Sequence, residues 1–367
     1  MSSSRFIFRN GTVLHTSDAT APITTFLESH PGAYTTTRTH NTASCLLFWE
    51  RHVNRLAESI RILSNSAPKL LFQPNNPRLS LPVTSPMWES AVRALVDGSM
   101  NKALPIAMNE RSGGEELSVT VLVCGSSGRF NGFEYVDEEL MHEALDVYVS
   151  VGCYVPRAFG VRGNGARLAV VGQGRDVANA KYSDWVRLRK PLEKLRPPSV
   201  TELLLSNDGD QILEGCVTNF FVVCRKDNDE AKGTCLHDQN NTRAFEVQTA
   251  PIQDGVLPGI IRQIVMEVCL SKGISFREVT PSWSKHEIWE EAFVTNSCIA
   301  GSLRLLEHVE TIQVPSSWKS LNSKTWEEIS WEQKQFEQEG PGMITRVIQK
   351  GIMEKANLEG FPIGDAV

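Results

Sequence analysis

The sequence predicts an α/β chain of two domains that share a cleft. Three observations predict it. The 367 residues exceed one average domain. Strand-like and helix-like patterns alternate along the chain. Near the middle, PRAFGVRGNG at 156–165 holds three glycines and a proline and reads as a connection. The expected division is a small N-terminal domain over 1–155, a linker over 156–165 and a larger domain over 166–367.

The elements follow in order. Residues 6–15 alternate like a first strand, and PGAYTTTRT (31–39) is β-rich after a Pro-Gly turn signal. From Trp49 to Leu63 a helix is expected, because Val53, Leu56, Ile60 and Leu63 recur at the helical period. Ser64 to Pro86 reads as a surface loop and Trp88 to Leu104 as a second helix. Strands at Leu117–Cys124 and Leu145–Tyr154 flank a helical Asp137–Ala144. Past the linker come a strand near Leu168–Val171 and a polar turn. Asn179 to Trp185 then leads into a helix.

The stretch Thr201–Arg225 reads as two apolar strands, Leu203–Leu205 and Phe220–Val223, joined by the turn residues Asn207 to Asp210. Lys226 to Arg243 is polar without periodicity and reads as an inserted loop. Phe245–Thr249 is a short strand, and LPGIIRQIVMEVCLSKG a helix with Pro258 near its start and Gly273 at its end. Strands at Ile274–Val279 and Ala292–Thr295, an acidic segment Trp318–Glu339 and a helix Met343–Asn357 complete the chain.

Composition excludes several functions. A hydrophobic content of 41% and a charged content of 22% are those of a soluble globular protein, and a net charge of -6 offers nucleic acid or an anionic membrane no general attraction. No apolar run reaches the roughly 18 residues of a membrane span. The eight cysteines form no CxxC pair and several sit in apolar runs, so reduced thiols are expected rather than disulfides or zinc. His52 and His142 have no ligand partner at metal spacing, and no metal site is expected. The start, MSSSRFIFRNGTVL, has neither a signal-peptide apolar region nor an Arg/Ser-rich leader, which makes the cytosol the expected compartment.

The candidate chemistry begins at Glu214. A carboxylate beside such apolar strands must find a cationic or hydrogen-bonding partner. Lys181 stands 33 residues earlier at a loop-to-helix start. Asn219 can hold a ring hydroxyl or a water. Backbone N–H groups at Ile260 and Ile261 open a helix and form a ready anion site. Asn296 and Ser297 close a strand with small hydrogen-bonding groups, and Arg55 can add counter-charge. Tyr34 and Arg38, on alternate residues of a strand, can both face a pocket. A lysine amine, a lone carboxylate and a phosphate-sized cradle together describe a site for pyridoxal phosphate, with Lys181 forming the Schiff base and Glu214 holding the ring-nitrogen proton. Each has a plainer reading: Lys181 as a solvated charge, Arg55 as a surface arginine paired with Glu58 or Glu50, Ser297 and Asn296 as strand-end groups. GQGR at 172–175 makes no phosphate loop, because no helix-opening pattern follows.

The blocks EGCVTNFF (214–221), VQT (247–249) and LPGIIR (257–262) resemble the signature of the class IV, fold type IV, pyridoxal-phosphate aminotransferases. That family includes branched-chain and D-amino-acid aminotransferases and aminodeoxychorismate lyase. FWERHVNRLAES (48–59) is similar to the family helix whose arginine, here Arg55, contacts the cofactor phosphate. PGAYTTTRT resembles the strand lining the substrate pocket, and FVTNS (293–297) the second phosphate loop, worded most like the lyase branch. The KYSDWV context of Lys181 is most similar to plant and fungal D-amino-acid-aminotransferase-like proteins. The likeness runs in order from about Phe6 to Leu306.

The resemblance implies a two-domain fold, with a small α+β N-terminal domain and a larger β-barrel-like domain with helices. It also implies the cofactor in the cleft and a homodimer whose pockets each borrow a loop from the neighbour. The substrates it implies are an amino acid, branched-chain or D, and a 2-keto acid. Three departures stand out: Thr35 where a glutamate is frequent, Arg304 where a proline is usual, and no tyrosine after Lys181 at the branched-chain spacing. Three functions follow as alternatives: an aminotransferase, a lyase releasing pyruvate, and a non-catalytic descendant serving as a binding module.

Overall fold

A computed structural model describes residues 5–14, 22–72, 85–111, 114–126, 143–156, 158–161, 163–226, 242–296, 305–319, 321–336 and 340–363. Residues 137–142 of the expected Asp137–Ala144 helix, residues 227–241 of the polar Lys226–Arg243 insertion, the central part of the Ser64–Pro86 loop, Ser297 and Arg304 lie outside these residues.

The first half holds β1 (Arg5–Arg9), β2 (Thr12–Val13), α1 (Ile23–Ser29), β3 (Ala33–His40), β4 (Cys45–Leu46), α2 (Trp49–Ser66), α3 (Ser85–Asn109), β5 (Glu116–Gly125) and β6 (Leu145–Tyr154). The second half opens with β7 (Ala166–Val170), α4 (Trp185–Leu188), β8 (Glu202–Ser206), β9 (Ile212–Gly215), β10 (Asn219–Arg225) and β11 (Phe245–Thr249). It continues with α5 (Ile260–Lys272), β12 (Ser275–Glu278), β13 (Trp289–Thr295), β14 (Leu306–Pro315), β15 (Trp331–Gln335), α6 (Met343–Leu358) and β16 (Phe361–Pro362).

Two sheets organise the molecule. The first is antiparallel, in the order β16-β4-β3-β5-β6-β1-β2. Its central strand β5 is buried along nearly its whole length because both faces are covered. Val119, Val121 and Val123 of β5 pack with Val53, Leu56 and Ile60 of α2 on one side. Leu122 packs with Ile7, Phe26 and Tyr34 on the other. The α2 residues that carry this contact are those spaced at the helical period.

The second sheet runs β12-β11-β10-β13-β14-β7-β8-β9, with β15 added beside β14. Within it six strands close into a barrel, β9 lying beside β10. Period-two alternation explains the doubly apolar FFVVC run. Phe220, Val222 and Cys224 fill the barrel, while Phe221 and Val223 face α5 and α6.

Three expectations are corrected here. The Phe220–Val223 strand does not pair with Leu203–Leu205. β9 does, with Leu205 opposite Glu214, and β10 pairs with β11 and β13. The reason is a second reversal inside EGCVTN, closed by the Gly215 N–H donating to the Thr218 carbonyl at 2.9 Å. Glu214, expected beside the apolar strands, therefore lies within one, β9. Pro258 precedes the N-cap, which is Gly259, rather than occupying the first helical position. Gly273 ends α5 at φ 66, the left-handed cap that glycine favours. Among the described residues no helix is long and apolar enough to cross a membrane.

Candidate active site

Lys181 lies four residues before α4 and is held on both sides. Its N–H donates to Ser59 Oγ of α2 at 3.1 Å, and its carbonyl accepts from the Tyr34 N–H of β3 at 3.0 Å. Ser59 in turn donates to the Arg55 carbonyl one turn back. The Lys181 side chain is buried, and Nζ sits 4.7 Å from the centre of the Tyr34 ring, where the ring face attracts a cation.

Glu214 is 2% exposed, and the partner its burial demands is Arg175. Arg175 Nε and Nη2 both reach Glu214 Oε1 at 2.9 Å, a charge-assisted fork. Nη2 also donates to the Ala178 carbonyl, and the guanidinium stacks 5.6 Å from the Trp185 ring centre. Arg175 thus ties the carboxylate to the loop that delivers Lys181. The other oxygen, Oε2, accepts from the Leu257 N–H at 2.9 Å and the Asn219 Nδ2 at 3.4 Å. Asn219 also donates to the Leu257 carbonyl at 2.9 Å, so it fixes the approach to α5.

Arg55 is buried and bonded to neither Glu50 nor Glu58; those pair with Arg93 and Arg61. Its Nη2 donates to Thr35 Oγ1 at 2.8 Å, and Thr35 Oγ1 lies 2.7 Å from His52 Nδ1. The direction of the Thr35–His52 bond follows the His52 tautomer, since the hydroxyl can accept from Arg55 and still either donate to Nδ1 or accept from it. His52 is held well below the usual imidazole range, first by burial and then by Arg55 and Lys181.

These groups line one cleft. Tyr34, Arg55, Lys181, Glu214 and Asn219 meet there with Ile260 and Ile261 at the start of α5, and with Asn296 at the end of β13. Thr295 Oγ1 and Asn296 Oδ1 are buried with no hydrogen-bond partner among the described residues. A Cβ on Gly259 would run into Asn219 Oδ1, so only glycine lets the helix start this close.

The family model for amino-transferase class IV matches residues 32–301, which span every residue of this cleft. The chain belongs to the class IV aminotransferases. Solved structures share the fold. The branched-chain aminotransferase of Escherichia coli superposes at TM-score 0.58 with 15% identity, covering 99% of this chain and 97% of its own. An M4 mutant of the Thermobaculum terrenum branched-chain aminotransferase gives TM-score 0.62 at 12% identity, covering 99% and 98%. A T.th. branched-chain aminotransferase with pyridoxamine 5'-phosphate gives 0.61 at 14%, covering 98% and 96%. No curated protein matches the sequence.

In this class IV aminotransferase, one sequence-derived residue is not brought to the cleft. Arg38 shares a strand face with Tyr34 but lines two other cavities farther along β3. One residue was missed. Arg175 sits in GQGR, where the glycines draw attention to a phosphate loop that is absent; the one available signal was the unmet charge of Glu214.

Proposed function

We propose that this class IV aminotransferase moves an amino group between an amino acid and a 2-keto acid, with pyridoxal 5'-phosphate held at Lys181. The observation that carries the reading is the opposition, in one buried cleft, of the Lys181 amine and the Glu214–Arg175 pair beside a helix N-terminus. The residues fit the cofactor. Ile260 and Ile261 offer N–H groups with no intrahelical acceptor, Asn296 and Thr295 offer buried polar atoms, and Arg55 offers positive charge for a phosphate. Ser297 is assigned to the same phosphate group.

When bound, the cofactor supplies the electron sink for the carbanion formed at the substrate Cα. Lys181 would hold the cofactor through its amine and would move the proton at substrate Cα as general base and acid. Glu214 holds the proton of the ring nitrogen, Arg175 supplies its counter-charge, and Asn219 with the Leu257 N–H fixes its orientation. Tyr34 walls the amine, and the Thr35–His52 pair orients Arg55.

The same reading assigns 1–155 to a small domain, 156–165 to the linker and 166–367 to the large domain, with β16 returning to the first sheet. A homodimer and a cytosolic location belong to it as well. The donor, branched-chain or D-amino acid by resemblance, is ranked by a panel of amino donors and 2-keto acceptors. The expected result is a new amino acid and a new keto acid in equal amounts, abolished in Lys181→Ala with the fold retained. Full activity in Lys181→Ala would end the proposal. Pyruvate release without an acceptor would replace it with a lyase.

A further inference from the structure

Arg51, Arg55 and Ser59 stand one turn apart along one face of α2. Two of them already belong to the cleft: Arg55 lines it, and Ser59 Oγ accepts from the Lys181 N–H. Arg51 reaches the second half of the chain. Its Nη1 and Nη2 fork onto Glu267 of α5 at 2.7 and 3.0 Å. Its Nε and Nη2 fork onto Glu359, just past α6, at 2.7 and 2.8 Å. Lys355 of α6 completes the cluster, 2.6 Å from Glu267 and 3.7 Å from Glu359. Of these four groups only Arg51 belongs to α2. The Arg51 fork, more than Lys355, holds the Glu267 carboxyl down at about 2.

The fork stands where it can set a distance. Arg55 is one turn beyond Arg51, and Ile261, in the first turn of α5, is about 9 Å along that helix from Glu267. Arg55, Ile260 and Ile261 all line the cleft. The rest of this contact is apolar: Phe48, the N-cap of α2, shares a core cluster with Ile260, Ile261 and Ile264. Apolar burial is non-directional and does not hold a helix to one register. A forked guanidinium–carboxylate pair is directional and does. Arg51, Glu267 and Glu359 are partly exposed, and pairs so placed add little stability. What the fork supplies is geometry.

We infer that Arg51 is a positioning residue for the phosphate cradle: its forks to Glu267 and Glu359 fix how far Arg55 of α2 stands from the first turn of α5. This inference rests on the reading of the main cleft as the cofactor site.

The test measures binding of pyridoxal phosphate and of pyridoxal to the full chain by absorbance, with a urea unfolding midpoint for each variant. The natural chain is expected to prefer the phosphorylated form. In Arg51→Met that preference is expected to fall roughly fivefold or more, as when part of a charge-assisted hydrogen bond is lost, with little change in the midpoint. Arg51→Lys keeps the charge, loses the fork and is expected to fall nearly as far. An unchanged preference in Arg51→Met overturns the inference, as does an equal loss of affinity for both ligands. A preference kept whole in Arg51→Lys also overturns it, since charge at a distance would then suffice. Glu267→Gln replaces Arg51→Met if the latter does not fold, with the same outcomes. Failure of the cofactor reading is seen separately: the natural chain then gives no absorption band with pyridoxal phosphate, and both readings fall.

Discussion

Arg175 and Arg38 both put a scarcely exposed side chain on a cavity wall, and their surroundings differ. Arg175 forks onto Glu214, meets a loop carbonyl and stacks near Trp185. Arg38 meets one backbone carbonyl and no carboxylate of the described residues. In the first cavity the charge is matched within the chain, so the carboxylate that faces the ligand is held in place before any ligand arrives. In the second no carboxylate among the described residues matches the charge. The contrast separates an arginine that fixes a neighbouring carboxylate from one that does not.

The largest way to break this contrast is to remove each arginine in turn. Arg175→Met strands Glu214 as a buried charge and is expected to cost about 3–5 kcal/mol in urea unfolding. Arg38→Met removes a charge that has no carboxylate partner among the described residues, and is expected to change stability by less than about 1 kcal/mol in either direction. Equal losses in the two variants would erase the distinction.

A smaller effect sharpens the cofactor side. Thr35→Val leaves Arg55 Nη2 and His52 Nδ1 without their shared hydroxyl, an expected cost of about 1–3 kcal/mol in melting experiments. Phosphate affinity should fall with it, read as weaker binding of pyridoxal phosphate with little change for pyridoxal. Loss of both affinities in equal measure would speak against Arg55 as the phosphate group.

The smallest effect concerns Glu202, beneath the 215–218 loop on the wall of the cleft. Its Oε1 accepts from the Val217 N–H and the Thr218 hydroxyl, yet burial dominates and raises its pKa from 4.5 to about 7. The folded chain then binds more protons than the unfolded one between these values, so stability falls as pH rises across that window. The loss is spread over that window, and Glu202→Gln should flatten it. A Glu202→Gln profile as steep as that of the natural chain would assign the slope elsewhere.

What could be read from the sequence follows these physical lines. α2 was legible because Val53, Leu56, Ile60 and Leu63 keep the helical period and all face the first sheet. Glu214 was legible as a carboxylate in want of a partner. Arg175 was not, because only the barrel brings residues 175 and 214 together. β14 passed unread since Glu307, His308 and Glu310 break its apolar pattern. Its burial comes from β7 and β13 on either side. The β3 alternation gave Arg38 the same face as Tyr34, but a period of two fixes a face and not which cavity along it a side chain enters. The division of Thr201–Arg225 into two strands failed for a related reason. The reversal at Gly215–Thr218 carries a single glycine and no Asn-Gly or Pro signal.

The most direct measurement is an absorption spectrum of the purified chain with pyridoxal phosphate, before and after borohydride, followed by peptide mapping. The account predicts a near-visible band that borohydride abolishes, with the reduced pyridoxyl label on Lys181. A chain that stays colourless, or a label that maps to another lysine, would contradict it.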